Sequence, residues 1–168
     1  MDFEAELVVM IGDFVHKASE EDALKHVAGY AGLNDLSARE LQFDVQPAQT
    51  TFAKSMDGFC PLGPWLVTAD EVAEPQNLSM WLEVNGHRYQ KGSTRTMIFG
   101  VAQLVSYVSR FMTLYPGDLI TTGTPPGVGL GQKPEPFYLK AGDVMELGID
   151  KLGSQRQAVV AWSRDLVA

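Results

Sequence analysis

Glu4 and Glu6 stand one residue apart at the head of an apolar run, Leu7-Val8-Val9-Met10-Ile11. A strand over Asp2–Ile11 sends alternate side chains to opposite faces, so Glu4 and Glu6 project together while Phe3, Ala5 and Leu7 project the other way. Two carboxylates on one strand face can share a hard cation, although any strand with one wet face carries such acids too. Asp35, in Asn34-Asp35-Leu36-Ser37-Ala38-Arg39, offers a third carboxylate at a strand end or tight loop. The same Asn-Asp-x-Ser pattern equally caps a turn. Three carboxylates without a His or Cys partner select Mg2+, Mn2+ or Ca2+ over zinc or copper. Lys54 lies just before the apolar stretch Phe59-Cys60-Pro61-Leu62, where a semi-buried ammonium needs an anionic partner; in a solvated loop it needs none. Thr121 to Gly127 reads as a strand running into a backbone-exposed turn, suited to presenting amides and a hydroxyl to an anion. No nucleotide site is read from Gly127-Val128-Gly129-Leu130-Gly131, which lacks a following Lys-Ser/Thr and the full Gly-x-Gly-x-x-Gly pattern.

The elements that must position these residues follow from periodicity and punctuation. Ser19 before Glu20, Glu21 and Asp22 predicts a helix start, with the helix running through Ala23, Leu24 and Val27 to a stop at Gly29. Phe43 to Thr51 reads as a loop and Trp65 to Val67 as a short strand. Met80–Val84 and His87–Gln90 flank Asn85-Gly86, the favoured pair for a type I′ hairpin. Val101, Leu104, Val105, Val108 and Met112 recur at helical spacing, predicting an amphipathic helix from Gly100 to Phe111. Pro116-Gly117-Asp118 launches a strand over Leu119–Thr122, and later short apolar runs suggest a meander ending in Gln157–Trp162. Strands dominate, two main helices are expected, and strict strand-helix alternation is missing. The reading is therefore a strand-dominated α+β fold with a predominantly antiparallel, rolled or barrel-like sheet rather than a doubly wound one.

The 168 residues suit one domain with a real core, and no repeat or interdomain linker is visible. Thirteen basic against 21 acidic residues leave a net charge of −8, which argues against nucleic acid or an anionic membrane as the main partner. A bound cation could offset part of that charge. Cys60 is the only cysteine, excluding an intrachain disulfide and a Cys-rich zinc site and fitting a reducing, cytoplasmic setting. The opening residues lack a basic leader, and no apolar run approaches the roughly 20 residues that span a bilayer.

Four stretches occur in the order found in the fumarylacetoacetate hydrolase family. They are Asp2-Phe-Glu4-Ala-Glu6-Leu, Asn34-Asp35-Leu-Ser-Ala-Arg, Lys54-Ser-Met-Asp-Gly-Phe-Cys-Pro-Leu-Gly-Pro-Trp and Thr122-Gly-Thr124-Pro-Pro-Gly-Val-Gly. The chain resembles that family's C-terminal catalytic domain over nearly its whole length. Within the family, Gly92-Ser-Thr-Arg-Thr-Met-Ile-Phe-Gly-Val-Ala-Gln and Gly129-Leu-Gly-Gln-Lys-Pro look most like members acting on diketo sugar acids, whose close relatives often carry the label ureidoglycolate lyase. The resemblance implies a rolled mixed β-sandwich or compressed barrel, usually homodimeric. It implies Glu4, Glu6 and Asp35 as ligands of Mg2+ or Mn2+, with Ca2+ an alternative, Lys54 as the active-site lysine, and Gln42 and Thr124 as substrate contacts. The implied activity is hydrolysis of a carbon–carbon bond in a 2,4-diketo acid, with oxaloacetate decarboxylation, isomerisation or ureidoglycolate lyase chemistry as alternatives on the same site. Family members also carry an upstream lid whose His and Glu, three residues apart, activate water. This chain begins at the metal-ligand strand, and His16, His26 and His87 each lack a Glu three residues later. The expectation is one catalytic domain over residues 1–168 without that upstream segment, and a lid-less, catalytically weak metal-binding scaffold is the alternative.

Overall fold

In the computed structural model, which describes residues 1–163, the opening apolar run forms strand β1 (Ala5–Ile11), with every residue but Met10 buried. Its odd-numbered side chains, Leu7, Val9 and Ile11, join Phe3, Leu82, Leu147 and Ile149 in the core. Glu4 and Glu6 take the other face, as the period of two requires. β1 pairs antiparallel along its length with β2 (Val27–Asn34) and, at Val8–Met10, with β6 (Leu119–Thr121). With β3 (Leu62–Thr68) outside β2, the first sheet has the order β3-β2-β1-β6. The second has the order β5-β4-β7-β8, from β4 (Ser79–Val84), β5 (His87–Ser93), β7 (Val144–Ile149) and β8 (Gly153–Ala158). Both sheets are four-stranded and antiparallel at every pairing, and they stack face to face around one core. This is the strand-dominated α+β architecture expected.

Local chemistry explains most of the elements. The β4–β5 hairpin turns on Asn85 (φ 51°) and Gly86 (φ 78°), the left-handed pair that a type I′ turn demands. Helix α4 (Val101–Ser109) buries Val101 and Val105 and is capped by the Gln103 side chain accepting the Gly100 N–H at 3.0 Å. It packs on α1 (Glu20–Ala23), whose N-terminus is capped by Ser19 Oγ accepting the Asp22 N–H. Two further short helices, α2 (Arg39–Phe43) and α3 (Thr50–Ala53), overlap the segment expected to be loop only at its ends.

The first helix ends earlier than its sequence suggests. After α1 and a 3-10 turn at Leu24–His26, Val27 begins β2, so Val27 to Gly29 lie in a strand and not in the end of a helix. Gly29 is no helix stop: a Cβ there would meet the Val67 carbonyl oxygen of β3 at 2.3 Å, so the glycine permits a close strand crossing. β2 then delivers Asn34 and Asp35 to the start of β1. Among the described residues, no helix is long and apolar enough to cross a membrane.

Candidate metal centre

β1 and β2 bring the three carboxylates together by register alone. Ala5 pairs with Asn34, and the Asp35 N–H donates to the Glu4 carbonyl at 2.8 Å, setting Asp35 beside the two glutamates. One carboxylate oxygen from each of Glu4, Glu6 and Asp35 lies within 4.8 Å of the other two. This face is not wet: Glu4 is 9% exposed and Glu6 3%. Burying several anions together is costly unless cations or donors compensate them.

The compensation is uneven. Lys54, at the end of α3, donates to Glu4 Oε2 at 2.8 Å and to Asp35 Oδ2 at 2.5 Å. Burial works against its charge, but the bonds to Asp35 and Glu4 outweigh that and raise its pKa above the ordinary lysine value. Arg39, the first residue of α2, donates to the other oxygen of Glu4, to Asp2 Oδ2 at 2.8 Å and to Gln42 Oε1 at 3.0 Å. Asp2 is fully buried and also accepts the N–H groups of Phe3, Gly129 and Leu130 at 2.8, 2.7 and 3.0 Å. Glu6 has no ion pair among the described residues and accepts only the Gly123 N–H, at 2.9 Å. Burial, with Asp35 and Glu4 nearby, pushes its pKa up to about 7 against the lowering effect of Gly123.

With all four carboxylates ionised, Asp2 included, the two cationic side chains leave a formal deficit of two positive charges, which a divalent ion matches. The donor set is hard oxygen throughout. It therefore fits Mg2+, Mn2+ or Ca2+, and not a soft metal.

Gln42 meets the cluster through Arg39 and otherwise reaches Thr50. Thr124 abuts the strand between the glutamates, its hydroxyl donating to the Ala5 carbonyl at 2.8 Å. That bond uses the hydroxyl's only proton, so the donor Thr124 can offer an incoming acid is its backbone N–H. The glycine-rich segment serves packing as well as presentation. A Cβ at Gly127 (φ 117°) would meet the Tyr89 carbonyl at 2.1 Å, and one at Gly129 the Phe137 carbonyl at 1.9 Å.

None of the histidines reaches the carboxylates: His26 pairs with Asp13, His16 with Thr113, and His87 packs edge-on against Tyr89. Three contributors are absent from the sequence reading. Arg39 closes the stretch Asn34-Asp35-Leu36-Ser37-Ala38-Arg39, and its place in that motif was the available signal. Asp2 and Asn34 open two of the motifs, but nothing local marked their contacts: Asn34 accepts the Glu4 N–H at 3.0 Å and donates to Gln157 at 2.8 Å, contacts that only the fold creates.

The fold is thus a two-sheet sandwich that gathers three carboxylates where β1 begins and β2 ends. Residues 1–160 match the C-terminal region of fumarylacetoacetate (FAA) hydrolase, so the chain is a member of the fumarylacetoacetate hydrolase family. It is similar to a 2,4-didehydro-3-deoxy-L-rhamnonate hydrolase of Sphingomonas sp. (strain SKA58), 60% identical over 161 residues. That alignment covers 96% of this chain and 56% of the relative, so the chain spans little more than half the relative's length. Among solved structures, it resembles fumarylacetoacetate hydrolase from psychrophilic Exiguobacterium antarcticum with a TM-score of 0.91 and 44% identity, over 96% of this chain and 57% of that one. It also resembles fumarylpyruvate hydrolase from Pseudomonas aeruginosa in complex with Mn2+ and pyruvate, with a TM-score of 0.86 and 36% identity, over 96% and 66% of the two chains.

Proposed function

We propose that this chain is the catalytic domain of a divalent-metal-dependent hydrolase that cleaves a carbon–carbon bond in a 2,4-diketo acid, with diketo-deoxy sugar acids as the substrate class. The observation that carries the reading is the buried cluster Glu4, Glu6 and Asp35 with its deficit of positive charge. Its finer assignment is supported by the 60% identity to the 2,4-didehydro-3-deoxy-L-rhamnonate hydrolase. In this reading the three carboxylates hold Mg2+ or Mn2+, the latter being the ion in the similar fumarylpyruvate hydrolase. A cation bound there supplies Lewis-acid stabilisation of negative charge developing on the oxygens of a 2-oxo acid.

The chain's own groups do the rest. Lys54 holds a proton on Nζ and sets a positive charge beside the cluster, where the substrate's carboxylate or reacting oxygen binds. The Thr124 N–H takes part of the acid end, and Gln42, steadied by Arg39, borders the substrate. The lone, free Cys60 accords with a reducing cytoplasmic setting. Two exposed aromatic pairs, Phe14–Tyr115 and Tyr107–Phe111, supply apolar surface suited to a homodimer.

One experiment tests the assignment: loss of a diketo acid's ultraviolet absorbance with added Mn2+, comparing the protein with Glu6→Ala. The variant is expected to be slower by about 10³-fold, the several kcal/mol that metal stabilisation supplies. Equal rates would remove the site from the reaction, and product analysis separates hydrolysis from decarboxylation, isomerisation or lyase chemistry. A second reading, a metal-binding scaffold with weak turnover, is favoured by the placement of His16, His26 and His87 away from the carboxylates. Mn2+ uptake without any substrate loss would select it.

A further inference from the structure

Gln90 is fully buried on β5, in the second sheet, yet its amide is spent on the first. Its Oε1 accepts the Ala5 N–H at 2.9 Å, and its Nε2 donates to Thr124 Oγ1 and to the Pro125 carbonyl, both at 2.8 Å. Because the Ala5 N–H can only donate and the Pro125 carbonyl can only accept, the amide has one orientation. Every polar atom of this buried group is therefore satisfied, the condition under which such a group is tolerated.

The place of these bonds gives them meaning. β6 covers the second edge of β1 only at Val8–Met10. Nearer the N-terminus, side chains replace the missing strand: Thr122 caps the Leu7 carbonyl, and Gln90 and Thr124 take both polar groups of Ala5. Ala5 is the residue between the two glutamates, and its backbone sets the directions in which Glu4 and Glu6 project. On its other side, the Asn34 side chain and the Asp35 N–H hold Glu4 to β2. The glutamate arm is thus clamped from both edges, and Gln90 is the part of the clamp that belongs to the opposite sheet. It also ties the Thr124-Pro125 turn to the same point.

We propose that Gln90 is a positioning residue of the metal centre: by joining Ala5 to Thr124 and Pro125 it keeps the carboxylates of Glu4 and Glu6 convergent on one cation. The proposal rests on the reading that those carboxylates bind a divalent ion. Outer partners of this kind are typically worth about ten- to a hundredfold in metal affinity.

The test is the Mn2+ affinity of the full chain, read from the electron paramagnetic resonance signal of free Mn2+. Gln90→Met, similar in length but without polar atoms, is expected to bind about ten- to a hundredfold more weakly. Gln90→Glu, whose neutral acid keeps the acceptor for Ala5 and one donor, is expected to recover most of that loss. Thr94→Val serves as a control, because Thr94 is buried and accepts the Leu78 N–H at 2.9 Å outside the site. It should lower the melting temperature and leave Mn2+ binding unchanged. Should Gln90→Met fail to fold, Gln90→Asn, too short to join Ala5 to Thr124 and Pro125, carries the same expectation. Wild-type affinity in Gln90→Met or Gln90→Asn, or an equal loss in Thr94→Val, overturns the positioning role while the metal centre stands. A wild-type chain that takes up no Mn2+ overturns the metal centre and this role with it.

Discussion

On one side of Glu4, Arg39 is backed by Asp2, a fully buried carboxylate that also gathers three backbone N–H groups. On the other side, Lys54 reaches Glu4 and Asp35 from the end of a one-turn helix, and no further carboxylate among the described residues holds it from behind. The Arg39 side chain is 9% exposed and that of Lys54 20%. Both cations neutralise the same glutamate, but only Arg39 is built into the frame. Lys54 and the unpaired Glu6 form the side on which charge can be exchanged. An arginine fork locked between two carboxylates has a fixed geometry, whereas a lysine ammonium on a flexible stem can give way to a metal ion or a substrate anion.

The strongest challenge to this distinction is Arg39→Met. It leaves Asp2 buried without its cation, and breaking a buried pair in this way costs about 3–5 kcal/mol, measurable by denaturant unfolding. Because Asp2 lies behind the cluster, saturating Mn2+ should not restore the loss; full restoration would place Arg39 on the exchangeable side. The next effect comes from Glu6. Folding raises its pKa from 4.5 to about 7, so between those values the folded chain holds a proton that the unfolded chain has released. This contribution is fully present below pH 4.5 and lost as pH rises through 7. It amounts to about 3 kcal/mol for the metal-free protein. Unfolding in chelator at pH 5.5 and at pH 8 checks the sign, and Mn2+ at pH 8 should cancel the loss. Stability that climbs over this range would remove Glu6 as the undercompensated group. Smallest is Lys54→Met, expected to cost the metal-free protein about 1–3 kcal/mol, the range of a hydrogen bond to a charged group. Here saturating Mn2+ should restore stability, since the ion supplies the missing charge, while cleavage of a diketo acid stays slow. A loss that Mn2+ leaves untouched would make Lys54 structural like Arg39.

Much of this site was legible in residue spacing. Alternation along β1 put Glu4 and Glu6 on one face, and Asn85-Gly86 and the Val101–Met112 periodicity marked the hairpin and α4 at nearly their observed bounds. The strand β2 was hidden, because Gly29 read locally as a helix stop. In the fold, Gly29 is where β3 crosses closely. Asp2 and Gln90 were hidden for a different reason: neither has a local pattern, and each matters through partners 37 and 85 residues away. The glycine-rich segment hinted at presenting amides, and Gly123 does donate to Glu6 and Gly129 to Asp2, while Gly127 and Gly129 also answer to the backbones of Tyr89 and Phe137.

By itself the sequence determined which groups could act: a pair of glutamates at a spacing of two, a third carboxylate, a lysine, and motifs in an order that marks the family. These are properties of residue type and local period, which a chain carries before it folds. Tertiary structure decided that the glutamate face is buried rather than wet, that Arg39 is anchored by Asp2 while Lys54 is not, and that Glu6 has no cation among the described residues. Burial and charge compensation are sums over neighbours brought from distant parts of the chain. No stretch of the sequence contains them.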